Sequence, residues 1–136
     1  MRKPQPFPYV PGVEVVGEIE EVGHAVQEFR RGDCVITMMQ GLGGVRAERP
    51  GGYAEYVTVS ASAVAPIPSG IDWHEMAAIG LVGVTAFEGL HRIAALSGRR
   101  IVVTGAAGGI GPAATAIAHG QDVSVIAVVN RADQVD

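Results

Sequence analysis

Residues 101–129 constrain this chain more than any other stretch. They read IVVT, GAAGGIG, PAATAIAH, GQD, VSVIAVV. A short β-branched apolar run ends at Thr104 and a glycine loop follows at once. An alanine-rich helical run, ATAIAH at 114–119, stops at Gly120, and a second apolar run fills 123–129. Two apolar strands joined through a helix within about thirty residues predict a βαβ unit with parallel strands. The second run is apolar at almost every position, the pattern of a parallel strand covered on both faces.

The glycine loop sits where such a unit has chemical use. Glycine is common here, 19 of 136 residues, so a cluster alone means little and its context must decide. A chain that leaves a strand and turns at once into a helix directs the first helical N–H groups outward, toward an anion. Glycines let that turn close and let a pyrophosphate approach the backbone. Gly108 and Gly111 fit the second and third glycines of G-x-G-x-x-G, with Ala106 where the first would stand. Gly105 instead gives G-x-x-G-x-x-G. Pro112 falls in the first helical turn, where its missing N–H does no harm. Gly105, Ala106, Ala107, Gly108, Gly109, Ile110 and Gly111 are therefore the candidate cradle for a dinucleotide. The alternative is a tight βα turn without a ligand, and the flanking strands and helix favour the first reading. No Gly-Lys-Ser/Thr follows, which excludes a P-loop.

The end of the second strand speaks to which dinucleotide. Folds selective for NAD carry Asp or Glu there, bonded to the ribose hydroxyls. Here Val129 holds that position, and Asn130 and Arg131 follow. An arginine pairs well with a 2′-phosphate. Asn130 and Arg131 thus favour NADPH (NADP) over NADH, against the alternative of a solvated loop arginine.

The first half is different in kind. Short β-rich runs at 13–22, 34–38 and 53–59 lie between turn residues, among them Gly12, Gly17, Gly32, Gly41, Gly44 and Gly51. They predict short antiparallel strands in a small barrel or sheet. PIPSG at 66–70 punctuates the chain. Asp72, with Glu75 three residues on, resembles a capping box. It opens one or two helices, with a break expected near Gly80 to Gly83.

Composition excludes several functions. The net charge is -4 and Lys and Arg form no run, so nothing points to nucleic acid. No apolar stretch reaches the ~18 residues of a membrane span. The proline-rich opening MRKPQPFPYVPG is not a signal peptide. Cys34 is the only cysteine, which rules out an internal disulfide and, with no export signal, favours a cytoplasmic protein. His24, His74, His91 and His119 have no ligand spacing and are expected at the surface or at helix ends.

Five stretches in order resemble the medium-chain dehydrogenase/reductase superfamily, in particular its zinc-free quinone oxidoreductase branch. They are PFPYVPGVEVVGEIEEVG (6–23), FRRGDCVI (29–36), GGYAEYVTV (51–59), PIPSGIDWHEMAAIGLVGVTAFEGL (66–90) and GAAGGIG (105–111). The resemblance implies an α/β plus β chain. It has a partial GroES-like catalytic domain (1–70), a connecting helical segment (71–98) and the first βαβ unit of a doubly wound Rossmann domain (99–136). It also implies hydride transfer from NADPH to a quinone or another conjugated carbonyl, a small-molecule enone being the broader class. Enoyl-thioester reduction is an alternative.

The zinc-dependent branch carries a metal-associated His where this chain has Val13, and valine cannot ligate a metal. With a single cysteine there is no structural zinc lobe either, so no metal is expected. The resemblance places Thr85 near the nicotinamide, the alternative being a helix residue bonded to its own backbone. Tyr53 and Tyr56 are weak candidates for contacting a substrate oxygen. Strand alternation would put them on opposite faces, and core packing is the favoured reading for either. No acid, base or nucleophile is assigned.

Two departures qualify the resemblance. It starts in mid-family and stops after the second Rossmann strand, where a full sheet has about six. Ala116 and His119 stand where the branch expects Gln and a basic residue. The chain is therefore expected to be a fragment. It is either an oxidoreductase or a non-catalytic assembly module, and its uncovered apolar edges favour a homo-oligomer or a complementing chain.

Overall fold

The structure is a computed structural model that describes residues 7–38, 42–43, 49–93 and 98–135. The predicted turn glycines Gly41 and Gly44, Pro6 of the first family stretch and residues 94–97 at the end of the helical run lie outside the described residues. The chain divides into two compact units, Met1–Gly80 and Leu81–Asp136.

The first unit is built on three antiparallel strands in the order β1 (Glu14–Glu18), β2 (Cys34–Met38), β3 (Val64–Pro66). Glu14 faces Met38 and Glu18 faces Cys34 across the first ladder. Val35 faces Pro66 and Thr37 faces Val64 across the second. Ile19 and Asp33 continue the β1–β2 pairing by one bond of 3.0 Å, and the Arg30 backbone N–H donates to the Asp33 carboxylate at 2.9 Å to close the return. β2 is the central strand, and its Ile36 and Thr37 are buried. Thr37 keeps its hydroxyl satisfied by donating to the Ala63 carbonyl at 2.8 Å.

The run 53–59, predicted as a strand, forms none. Its alternating Tyr, Val and Thr residues have the side chains for a sheet, but no described strand lies beside it. The third strand is instead the shorter Val64–Pro66, tied to β2 also by the Ile67 N–H on the Cys34 carbonyl at 2.9 Å. The start of the expected strand has another use. The N–H groups of Gly51 and Tyr53 donate to the carbonyls of Val10 and Pro11 at 2.8 and 3.0 Å. A Cβ on Gly51 would run into the backbone of those same two residues. Two of the family-like stretches, 6–23 and 51–59, therefore meet backbone to backbone.

Helix α1 (Trp73–His91) starts on Asp72, whose Oδ1 accepts the N–H groups of His74 and Glu75 at 2.8 and 3.3 Å. Those bonds hold the Asp72 carboxyl below the usual carboxylate range, led by the His74 N–H. The helix runs unbroken through Gly80 and Gly83, against expectation. Interior glycine costs a helix only about 1 kcal/mol. At Gly80 the reason for accepting that cost is visible: a Cβ there would collide with the Cδ1 of Ile36 on β2.

The second unit is the βαβ unit read from the pattern. β4 (Arg100–Thr104) and β5 (Ser124–Val128) are parallel, with Arg100 opposite Ser124 and Thr104 opposite Val128. Between them lies α2 (Ile110–His119). Leu90, Ala118 and Val123 form the buried core, with Ile101, Ala114, Ile117 and Val125 packed against it. The second run has the composition of a strand covered on both faces, but two strands with one helix are expected to leave apolar faces uncovered, and they do. Val102 on β4 is 61% exposed and Ile126 on β5 is 46% exposed. One helix covers one face of a two-stranded sheet, so alternate residues face outward. None of the helices formed by the described residues is long and apolar enough to cross a membrane.

Candidate functional site

The glycine loop is shaped by three constraints. The Gly108 N–H donates to the Gly105 carbonyl at 2.9 Å, which closes a tight turn directly after β4. Gly105 turns the chain with φ of +68°, a conformation that costs a residue with a Cβ roughly 1 kcal/mol. The Ala106 N–H donates to the Val128 carbonyl at 3.0 Å, which pins the loop to the end of β5.

Gly111 then decides how close α2 can come. A Cβ there would lie 2.5 Å from the Gly105 carbonyl oxygen and 2.6 Å from Ala106 Cα. No side chain fits, so the first turn of α2 rests on the loop backbone. This is the close approach that the third glycine of the dinucleotide pattern serves. Gly105, and not Ala106, supplies the turn.

Gly109 is the N-cap of α2. The N–H groups of Gly109, Ile110 and Gly111 belong to the helical start that has no acceptor within the helix, and Pro112 brings none. They sit at the positive end of the helix dipole. This donor set, with no side chain at Gly108 or Gly109, fits a pyrophosphate.

The parallel register brings the other sequence candidates to the same end of the sheet. Asn130 and Arg131 leave β5 beside the loop that leaves β4. Both are exposed. Arg131 is not idle: its Nε donates to Asp133 Oδ1 at 2.9 Å and its Nη2 to Asp133 Oδ2. Each partner supports the other's charge. Arg131 holds the Asp133 carboxyl below the usual range, and Asp133 raises the already high value of the guanidinium. Sequence reasoning missed Asp133, although the Arg-x-Asp spacing was there to be read.

Thr85 lies on α1, one turn beyond Val82, whose Cγ1 would be 3.7 Å from a Cβ on Gly109. Its hydroxyl donates to the Leu81 carbonyl at 2.7 Å, the backbone bond weighed as its alternative role. The hydroxyl oxygen therefore meets any further partner as an acceptor. Tyr53 and Tyr56 are 79% and 75% exposed, which overturns the core-packing reading for both. With no strand at 53–59, their alternation has no sheet to act on. Among the described residues no three His, Cys, Asp or Glu side chains gather as a metal would need. His74, His91 and His119 are exposed at helix ends, with His91 stacked on Phe87 at 5.8 Å.

With this geometry in hand, similarity to known proteins is specific. The "Alcohol dehydrogenase GroES-like domain" family matches residues 1–69. A quinone oxidoreductase of Lama guanicoe is 41% identical over 119 residues, which are 87% of this chain and 33% of that protein. Among solved structures, Escherichia coli quinone oxidoreductase complexed with NADPH superposes with a TM-score of 0.83 at 25% identity, over 97% of this chain and 38% of that one. The CurK enoyl reductase superposes with a TM-score of 0.77 at 28% identity, over 93% and 36%. The chain spans about a third of the length of the curated relatives it matches.

Proposed function

Because the chain belongs to the alcohol dehydrogenase GroES-like family of the medium-chain dehydrogenase/reductase superfamily, we propose that it serves zinc-independent hydride transfer from NADPH to a quinone or another conjugated carbonyl. The observation that carries the reading is the closure of α2 onto the loop at Gly111, beside Arg131 on the same sheet end. Reduced nicotinamide supplies the hydride when bound.

The roles of this chain's residues follow from their positions. The N–H groups of Gly109, Ile110 and Gly111 hold the pyrophosphate oxygens. Arg131 and Asn130 meet the adenosine ribose end, and the charge of Arg131 favours a 2′-phosphate. Thr85 offers an acceptor from α1. Val13 carries the zinc-independent part, since it supplies no ligand where the metal-dependent branch has a histidine. The division into 1–70, 71–98 and 99–136, association with another copy or a complementing chain, and a cytoplasmic setting belong to the same proposal.

Calorimetric titration of the purified chain with NADPH and NADH tests the site. Saturable binding that favours NADPH is expected, with Gly111→Val losing at least about tenfold in affinity through the collision at the loop. Equal loss-free binding by that variant would sink the loop assignment. The likeness to an enoyl reductase supports a second reading, reduction of an enoyl thioester. NADPH consumption with 1,4-benzoquinone, compared with a crotonyl thioester, separates the two. Turnover of neither acceptor by a folded chain that binds NADPH would leave a binding module and no enzyme.

A further inference from the structure

We propose that Asp133 is a specificity-determining residue that restrains Arg131, so that the ribose end of the site favours NADPH over NADH by less than an unpaired arginine would. The inference rests on the reading of residues 105–111 as the pyrophosphate loop.

Three observations carry it. The first is position. Thr104 and Val128 are paired at the ends of parallel strands, and the Ala106 N–H bonds the Val128 carbonyl at 3.0 Å. The chain just after β5 therefore borders the loop.

The second is the form of the pair. Asp133 takes the Nε and Nη2 edge of Arg131 with both of its oxygens. That fork is the edge with which a guanidinium grips a carboxylate or a phosphate at two points. The third is local rigidity. Arg131 is the N-cap of a short 3₁₀ turn, Ala132–Gln134, that contains Asp133, and the Gln134 N–H closes the turn on the Arg131 carbonyl at 3.2 Å. Two residues linked by a closed turn meet again each time the pair opens.

The chemistry follows from charge and donor count. The pair is close to neutral as a unit, whereas an arginine alone presents a full positive charge to a 2′-phosphate. A 2′-phosphate must displace Asp133 from the fork, or accept from the remaining Nη1 edge close to a carboxylate. Each route costs affinity. A ribose 2′-hydroxyl meets the opposite situation. It can donate to the Asp133 carboxylate, the service that an acidic residue performs in NAD-selective folds. Asp133 thus subtracts from NADPH binding and adds to NADH binding. Its carboxyl stays ionised at neutral pH, since Arg131 holds it below the usual range.

The test is calorimetric titration of NADPH and NADH into the wild-type chain, Asp133→Asn, Asp133→Ser, Arg131→Ala and Arg131→Ala/Asp133→Asn. Thermal melts check that each variant is folded. Either substitution of Asp133 is expected to raise the NADPH-to-NADH affinity ratio roughly fivefold, the upper end of what an exposed ion pair withholds. Arg131→Ala is expected to lower the ratio below that of the wild type. In the Arg131→Ala background the gain from Asp133→Asn should shrink, because the restrained group is gone. An unchanged ratio in both Asp133 variants, with NADPH still bound, overturns this proposal and leaves the loop assignment standing. Binding of neither nucleotide by any folded form overturns the loop assignment and this proposal with it.

Discussion

β2 and β4 are both five-residue strands rich in β-branched residues, yet they end in different environments. β2 has a neighbour on each side and buries Ile36 and Thr37. Among the described residues β4 has only β5 beside it and a helix on one face, and none of its own residues is fully buried. Strand chemistry is alike in the two places. Burial is set by how many neighbours the topology supplies, so a strand's composition says what it tolerates and its partners say what it experiences.

Substitutions can break or sharpen this contrast. The largest effect is expected at Gly51, where the first unit brings two backbones together. Gly51→Val should destabilise that unit by about 3 kcal/mol, since a side chain there displaces the main chain of Val10 and Pro11. Denaturant unfolding measures it, and a loss near zero would mean that the approach is looser than described. Leu90→Ala, in the core of the second unit, should cost about 2.5 kcal/mol. It should move the unfolding of the βαβ unit and leave the Gly51 effect additive.

Asp72→Ala removes the cap of α1 and is expected to lower the melting temperature by a few degrees at neutral pH. The sign of its pH dependence is fixed by the lowered Asp72 carboxyl. The contribution is present above the carboxyl's unfolded value and fades as pH falls through the folded one. Melting curves of variant and wild type should therefore converge in acid. A gap that widened in acid would contradict the cap. The smallest effect is expected at Val102, which faces outward on β4. Val102→Thr should stay within about 0.5 kcal/mol. A larger loss would mean that this face is covered in solution, and the contrast with β2 would narrow.

What could be read from the sequence follows the same division. The second unit was legible because its signals are local: apolar run, glycine loop, helix, apolar run, each beside the next in the chain. The third strand of the first sheet was not. It depends on Ile36 finding Ala65 across a long intervening stretch, and the run 53–59 has the better strand composition. The uninterrupted α1 was hidden for a related reason, since Gly80 reads as a breaker until Ile36 is seen to occupy its missing side chain. The position of the glycine loop between β4 and α2, and of Arg131 just after β5, could be read from the sequence. The engagement of Arg131 by Asp133 could not, because a pattern places residues without saying which donors are already taken.

The bond from the Ala106 N–H to the Val128 carbonyl has a bearing on the order of events during synthesis. The loop leaves the ribosome before the strand that anchors it. Its final shape has to wait until residue 128 has emerged and docked beside β4. A nucleotide that grips the loop therefore also selects chains in which β5 is in place, and its binding energy is returned as resistance to unzipping of the sheet. If the loop holds a nucleotide as proposed, cofactor and chain stability are linked in this way apart from any reaction.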